Sequence, residues 1–261
     1  MMISNMHTTW YDRPWAAFIF FTRLPLWRIH QPSRESYQSV VEWWPLVGWL
    51  TGGLTAAVLY FGSMLFAPLV AVVAAMVLRL LLTGALHEDG LADFFDGFGG
   101  GGNDRQRILD IMKDSRIGTY GVLGLIVYEL LLFATWYSMG PEWAALTVLA
   151  ADPFAKMVTS QLVMMLPYAR REEEAKIKLV YRPISTWAGV GLALQGLVPM
   201  ALYLLYTRRA WEWVLFVPAL VMYFLYLLIR RKLKGYTGDC CGAVCLLVEL
   251  SIYVVVSIVA I

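Results

Sequence analysis

Apolar runs of about 20 residues recur along the whole of this 261-residue chain, and a run of that length can cross the hydrocarbon core of a bilayer as one helix. Seven spans are expected, at roughly 41–66, 67–86, 118–139, 143–166, 185–206, 212–229 and 241–261. Composition agrees. The chain is 59% hydrophobic and 15% charged, whereas a soluble domain carries about 25% charged residues. Its mean hydropathy is +0.62. The fold class is therefore all-α: one polytopic integral membrane domain over residues 1–261, with about seven transmembrane helices plus interfacial helices. Short connections at Phe66–Pro68 and Gly140–Pro141 force antiparallel neighbours. Gly48, Gly52 and Gly53 in the first span predict tight helix contact. The first 17 residues are polar and aromatic, without the apolar core of a cleavable signal peptide.

The basic residues orient the spans. Segments 1–40, 87–117, 168–183 and 230–240 hold four, four, five and four lysines and arginines, 17 of the 21 in the chain. Positive charge stays cytoplasmic, so these segments and the N-terminus are expected in the cytoplasm. Residues 168–183 alternate in charge and read as a solvated loop or a strip contacting a large substrate. Phe18 to Trp27, broken by Arg23 and Pro25, is too short to span and reads as an interfacial segment or lid. Arg79, Glu129, Asp152, Lys156 and Glu249 fall within spans, where a charge faces a cavity or a partner. Asp152 and Lys156 lie four apart and suit an internal ion pair. Arg79 is placed three turns before Asp89 on the same helix, where it points towards a phosphate. A net charge of +2 does not suggest nucleic acid as a partner. Cys240, Cys241 and Cys245 lack zinc-site spacing and read as small residues of a packed helix.

Between the second and third spans, seven acids fall within 27 residues: Glu88, Asp89, Asp93, Asp96, Asp104, Asp110 and Asp114. If the second span continues as a helix past His87, then Asp89, Asp93 and Asp96, at i, i+4 and i+7, share one face. Carboxylates side by side repel one another unless a cation lies between them, and hard oxygen ligands suit Mg²⁺. The glycines of GFGGGG are expected to end that helix and to permit close backbone approach to a ligand. Asn103 or Asp104 then caps a short amphipathic helix, about 105 to 114, on the membrane surface. That helix delivers Lys113, Asp114, Ser115 and Arg116. Two cations, a carboxylate and a hydroxyl at a helix end can hold a diphosphate, with Arg116 as the phosphate fork. Gly238-Asp239 opens the last span, where backbone N–H groups favour anions. Asp239 is either its cap or a further metal or substrate ligand.

Gly84-x2-His87-x-Asp89-Gly90-Leu91-Ala92-Asp93-x2-Asp96-Gly97 resembles the signature of the cobalamin synthase family, the adenosylcobinamide-GDP ribazoletransferases. So does Met112-Lys113-Asp114-Ser115-Arg116-Ile117-Gly118-x2-Gly121. Phe21-Thr22-Arg23-Leu24-Pro25, Pro45-Leu46-x-Gly48, and Thr237-Gly238-Asp239-x2-Gly242-Ala243 with Glu249 match in the family's order. The resemblance implies an Mg²⁺-dependent transferase of a bacterial cytoplasmic membrane, with its site facing the cytoplasm. Its substrates would be adenosylcobinamide-GDP and α-ribazole or its 5′-phosphate, and its products GMP and adenosylcobalamin or its 5′-phosphate. Asp89, Asp93 and Asp96 would hold Mg²⁺, with Asp114 and Asp239 as further ligands. Lys113, Ser115, Arg116 and Gly238 would bind substrate, and Arg23 and Arg79 are further candidates. Either His87 or Asp114 would be the general base, His87 alternatively orienting a ligand aspartate. Membrane lipid is the other partner, and a homo-oligomer stays open. The rival readings are a prenyltransferase or CDP-alcohol phosphotransferase-like enzyme, and an ion transporter.

Overall fold

Residues 9–170, 181–208 and 211–259 are described by the computed structural model. The alternating charges of the expected loop 168–183 lie largely outside them. Ten α-helices follow in order among the described residues: α1 (Asp12–Phe21), α2 (Trp44–Leu65), α3 (Pro68–Thr83), α4 (Leu86–Gly100), α5 (Arg105–Lys113), α6 (Thr119–Met139), α7 (Pro141–Met165), α8 (Thr186–Thr207), α9 (Trp211–Leu233) and α10 (Gly238–Val259). Two 3₁₀ stretches, Leu26–Arg28 and Arg34–Trp43, link α1 to α2.

The seven expected spans coincide with α2, α3, α6, α7, α8, α9 and α10. Among the described residues, five stretches are long and apolar enough to cross a membrane: Arg34–Leu65, Thr119–Met139, Thr186–Thr207, Glu212–Leu233 and Gly238–Ile258. A sixth arises if α3 and α4 count as one bent span. Alone, the 16 residues of α3 reach only about 24 Å at 1.5 Å per residue. The 25-residue α7 is long enough, but Glu142, Asp152 and Lys156 interrupt its apolar character.

α10 is the central helix. Its apolar stretch is 78% buried, against 22% for α8 and for α9, which turn Leu202, Leu205, Phe216 and Phe224 outward. Small side chains thin the first turns of α10, and the three buried cysteines belong to this packed surface. Gly48 and Gly52 bring α2 against α7 as expected. A Cβ on Gly48 would lie 2.8 Å from Pro153 Cα, whereas one on Gly53 would meet nothing within 4 Å. Lys156 pairs with Asp152, as the four-residue spacing predicts, and Thr51 Oγ1 donates to Asp152 Oδ2 at 2.7 Å. The guanidinium of Arg79 is taken by Glu249, with Nη1 to Oε1 at 2.6 Å, and Tyr253 donates to the same carboxylate at 2.5 Å. Arg79 therefore does not serve as the expected arm towards the acidic stretch.

The second span does not run on past His87. It stops at Gly84 (φ +64°), whose N–H bonds back to Leu80, and Ala85 (φ +54°) is left-handed too. The chain restarts as α4 at 88° to α3. The glycine run ends α4 as expected, at its far end, with Gly101 as the C-cap, while Gly97, Gly99 and Gly100 still lie inside the helix. Their use is packing. A Cβ on Gly97 would come within 2.5 Å of Met112, so its absence lets α5 fold back onto α4. Asp104 is the N-cap of α5, accepting from Gln106 N at 2.9 Å and Arg107 N at 3.2 Å, and Ile108, Leu109 and Met112 are its buried face.

The N-terminal segment is helical to Phe21 and then extended. His30 Nε2 lies 2.7 Å from Asp12 Oδ1, and Thr9 Oγ1 donates to the same oxygen at 2.6 Å. Burial raises the Asp12 carboxyl, but these hydrogen bonds outweigh it and hold the group below its ordinary range.

Candidate active site

The site forms where α4 crosses the start of α10. Two glycines permit the approach. A Cβ on Gly90 would lie 3.1 Å from Asp239 Cα, and one on Gly242 would lie 3.1 Å from the His87 carbonyl. Thr237 caps α10, its Oγ1 accepting from Cys240 N at 3.2 Å. The cap being Thr237, Asp239 is the first acid inside the helix. The loop before it is held by Ala169 N donating to Tyr236 O at 2.8 Å and Tyr236 N to Pro167 O at 2.9 Å.

A cavity of about 280 Å³ opens at this crossing. Phe20, Phe21, Val41, Trp44 and Leu86 make an apolar wall, and Asp89, Arg170, Thr237, Gly238 and Asp239 a polar one. His87, Tyr168 and Tyr181 complete it. Phe21, Trp44 and His87 are near-parallel: Phe21 and Trp44 have centroids 4.9 Å apart at 9°, and Trp44 and His87 5.6 Å apart at 16°. Phe20 meets Tyr181 edge-on at 6.4 Å. Among the described residues, His87 Nε2 and Trp44 Nε1 are buried with no hydrogen-bond partner. Such orphaned atoms are uncommon in native structures and call for an explanation. Burial pushes the Tyr168 and Tyr181 hydroxyls up, which keeps them protonated donors. None of this aromatic set stood out in the sequence, because its members come from five separated segments.

The acidic stretch divides into two regions along α4. Asp89 is exposed at the cavity and Asp239 lines the same wall. Asp93 lies one turn beyond Asp89 and is half-buried. Asp96, expected as a third ligand, has another task. It accepts from Gly118 N at 2.6 Å and Gly121 N at 2.8 Å, binding the first turn of α6 with both oxygens. Asp89 and Asp96, seven residues apart, stand about 10 Å apart along the helix.

Lys113 ends α5, and Asp114, Ser115 and Arg116 lie in the loop that Asp96 anchors; none of the four is in the cavity wall. Lys113, Ser115 and Arg116 are exposed. Arg116 Nη2 donates to Asp114 Oδ2 at 2.8 Å. That guanidinium and the Arg116 N–H hold the Asp114 carboxyl below its ordinary range, which makes it a weaker base. Arg23 crosses the α3–α4 elbow, donating its N–H to Leu82 O at 2.7 Å and packing its side chain on Gly84.

No three His, Cys, Asp or Glu side chains among the described residues converge as a ready metal cage. Mg²⁺ does not need one, since it is commonly held by one or two carboxylates plus substrate phosphates and water. Asp89 and Asp239, both lining the cavity, fit that pattern with hard oxygen donors.

No solved structure matches the chain. The curated relatives cover it nearly end to end. It is 30% identical to an adenosylcobinamide-GDP ribazoletransferase of Leptospira interrogans, over 98% of this chain and 98% of that protein. It is 36% identical to one of Vibrio cholerae, over 92% of this chain and 90% of that protein. A third, from Ralstonia nicotianae, is 37% identical over 87% of this chain and 88% of its own length. The family model for cobalamin-5-phosphate synthase matches residues 13–257, which takes in α1, the α4–α10 crossing and every residue of the cavity wall, and the chain belongs to that family.

Proposed function

We propose that the chain joins adenosylcobinamide-GDP to α-ribazole or its 5′-phosphate, releasing GMP, with Mg²⁺ held by Asp89 and Asp239 and with Asp93 as the nearest further carboxylate. The observation that carries this reading is the cavity at the α4–α10 crossing, which two carboxylates, Arg170 and a set of aromatic rings line together. Its curated relatives bear the name of the same reaction. The ribose 3′-hydroxyl of the acceptor attacks the corrin-side phosphorus of the donor. An O–P bond forms there, the P–O bond to GMP breaks, and the hydroxyl proton passes to a base. Bound Mg²⁺ supplies neutralising charge for the diphosphate. Positioning and electrostatics carry most of such a phosphoryl-type transfer.

Of the two candidate bases, His87 lines the cavity but burial makes it a much weaker base, and Asp114 lies outside the cavity. Lys113 at the end of α5, with Ser115 and Arg116 after it, can receive the phosphates or the corrin outside the cavity. The charge asymmetry of the sequence supports a site on the cytoplasmic face of the inner membrane.

The test is turnover by the purified chain in lipid, with adenosylcobinamide-GDP, α-ribazole 5′-phosphate and Mg²⁺. GMP should appear in step with a corrin product and stop on chelation. Asp89→Asn should lower turnover by more than the 10–100-fold typical of losing an outer partner of a metal ligand. Absence of GMP release with every divalent cation would exclude the assignment.

A further inference from the structure

We infer that the cavity is the slot for the base of the acceptor, the dimethylated benzimidazole of α-ribazole, and that the activated corrin and its guanosine stay outside its mouth. This rests on the transferase reading. It adds which of two large substrates enters the cavity, and by which end.

Size is the first argument. About 280 Å³ lies just below the range of drug-sized ligand pockets. A fused two-ring base with a ribose suits such a space, and a corrin macrocycle does not.

Ring geometry is the second. Phe21, Trp44 and His87 lie parallel to within 16°. Near-parallel rings in a cavity wall are a stacking platform, and base–aromatic stacking holds flat heteroaromatic ligands. Phe20 and Tyr181, edge-on to each other, also line the cavity. Trp44 Nε1 and His87 Nε2, in the rings of this platform, are buried without partners.

Polarity is the third. Val41 and Leu86 add hydrocarbon to the lining beside the aromatic rings. The methylated edge of benzimidazole has nothing to leave unpaired. At the other end, Thr237, Asp239 and Arg170 suit ribose hydroxyls and a 5′-phosphate. Arg170 is the single cation among the described lining residues, and its Nη2 is steadied by the Leu109 carbonyl at 3.0 Å.

The experiment is calorimetric binding to the full chain in lipid nanodiscs, without the corrin donor. α-Ribazole should bind, with or without GDP and Mg²⁺, and the free dimethylbenzimidazole base should displace it while guanosine does not. Trp44→Leu should weaken α-ribazole by about ten-fold or more, the scale of losing one base–aromatic stack, and leave the affinity for GDP with Mg²⁺ unchanged. Phe20→Ala, at a half-buried rim position, should act in the same direction if Trp44→Leu fails to fold. No α-ribazole binding under either condition would overturn the proposal. So would α-ribazole affinity unmoved by both variants, or loss of GDP affinity in their place, which would put the donor's guanosine in the slot. Should wild-type protein still release GMP in those cases, the transferase reading survives and only the slot assignment falls.

Discussion

Asp89 and Asp96 share a face of α4, yet their surroundings separate them. Asp96 holds two backbone N–H groups of α6, one from 22 and one from 25 residues further along the chain. Asp96→Asn keeps the shape but loses one acceptor oxygen. Thermal unfolding should show it destabilised by about 1–2 kcal/mol, as for a lost helix cap, while Mg²⁺ affinity holds. Asp89→Asn should do the reverse. The spacing of these aspartates is visible in the sequence; the donors that claim one of them are not. Arg79 makes the same point. The sequence marks it as a costly intramembrane charge, but its partner Glu249 lies 170 residues away. Removing one partner of a buried pair typically costs about 3–5 kcal/mol. Arg79→Met should therefore unfold at markedly lower temperature, and the double variant Arg79→Met/Glu249→Leu should recover much of the loss. A double variant no better than the single one would show that the pair itself is not the source.

At the scale of elements, the site depends on how closely α4 can lie on α10. Gly242→Val puts a branched side chain where a Cβ already falls 3.1 Å from the His87 carbonyl. Overpacking of this kind costs about 1–3 kcal/mol. Here it also moves Asp89 away from Asp239, so turnover should fall by more than the stability loss explains. Gly53→Ala is the control, since a Cβ there meets nothing within 4 Å, and it should be neutral or slightly stabilising. Thermal midpoints and initial rates for the two variants decide this. The sequence marked these helices but not their angle. Reading α3 and α4 as continuous missed the elbow, because Gly84 stops a helix only if its neighbours accept the turn, and Ala85 follows it into a left-handed conformation.

For the whole molecule, the question is which face of the membrane carries the site. The proposed orientation, with α5 and the cavity mouth in the cytoplasm and the α6–α7 connection outside, rests on the distribution of lysine and arginine. Gln106 on α5 and Glu142 at the start of α7 are both exposed. In intact cells, a membrane-impermeant maleimide should label Glu142→Cys and spare Gln106→Cys until the membrane is opened. The opposite pattern would invert the orientation. The native cysteines, buried in α10, should give little background.

Features set by neighbours along the chain were legible from the residues alone. Span positions follow from the length of apolar runs, the Asp152–Lys156 pair from a four-residue spacing, and the cap and buried face of α5 from its own turns. Tertiary packing decided the rest. The cavity wall gathers α1, the start of α2, α4, the residues after α7 and the start of α10, and no local pattern records that these segments meet. Which aspartate faces a ligand and which caps a helix was likewise decided by the 88° elbow at Gly84 and the glycine contacts at Gly90 and Gly242. Backbone geometry at those few positions sets where every side chain of α4 points, and hydrophobic periodicity carries no information about it.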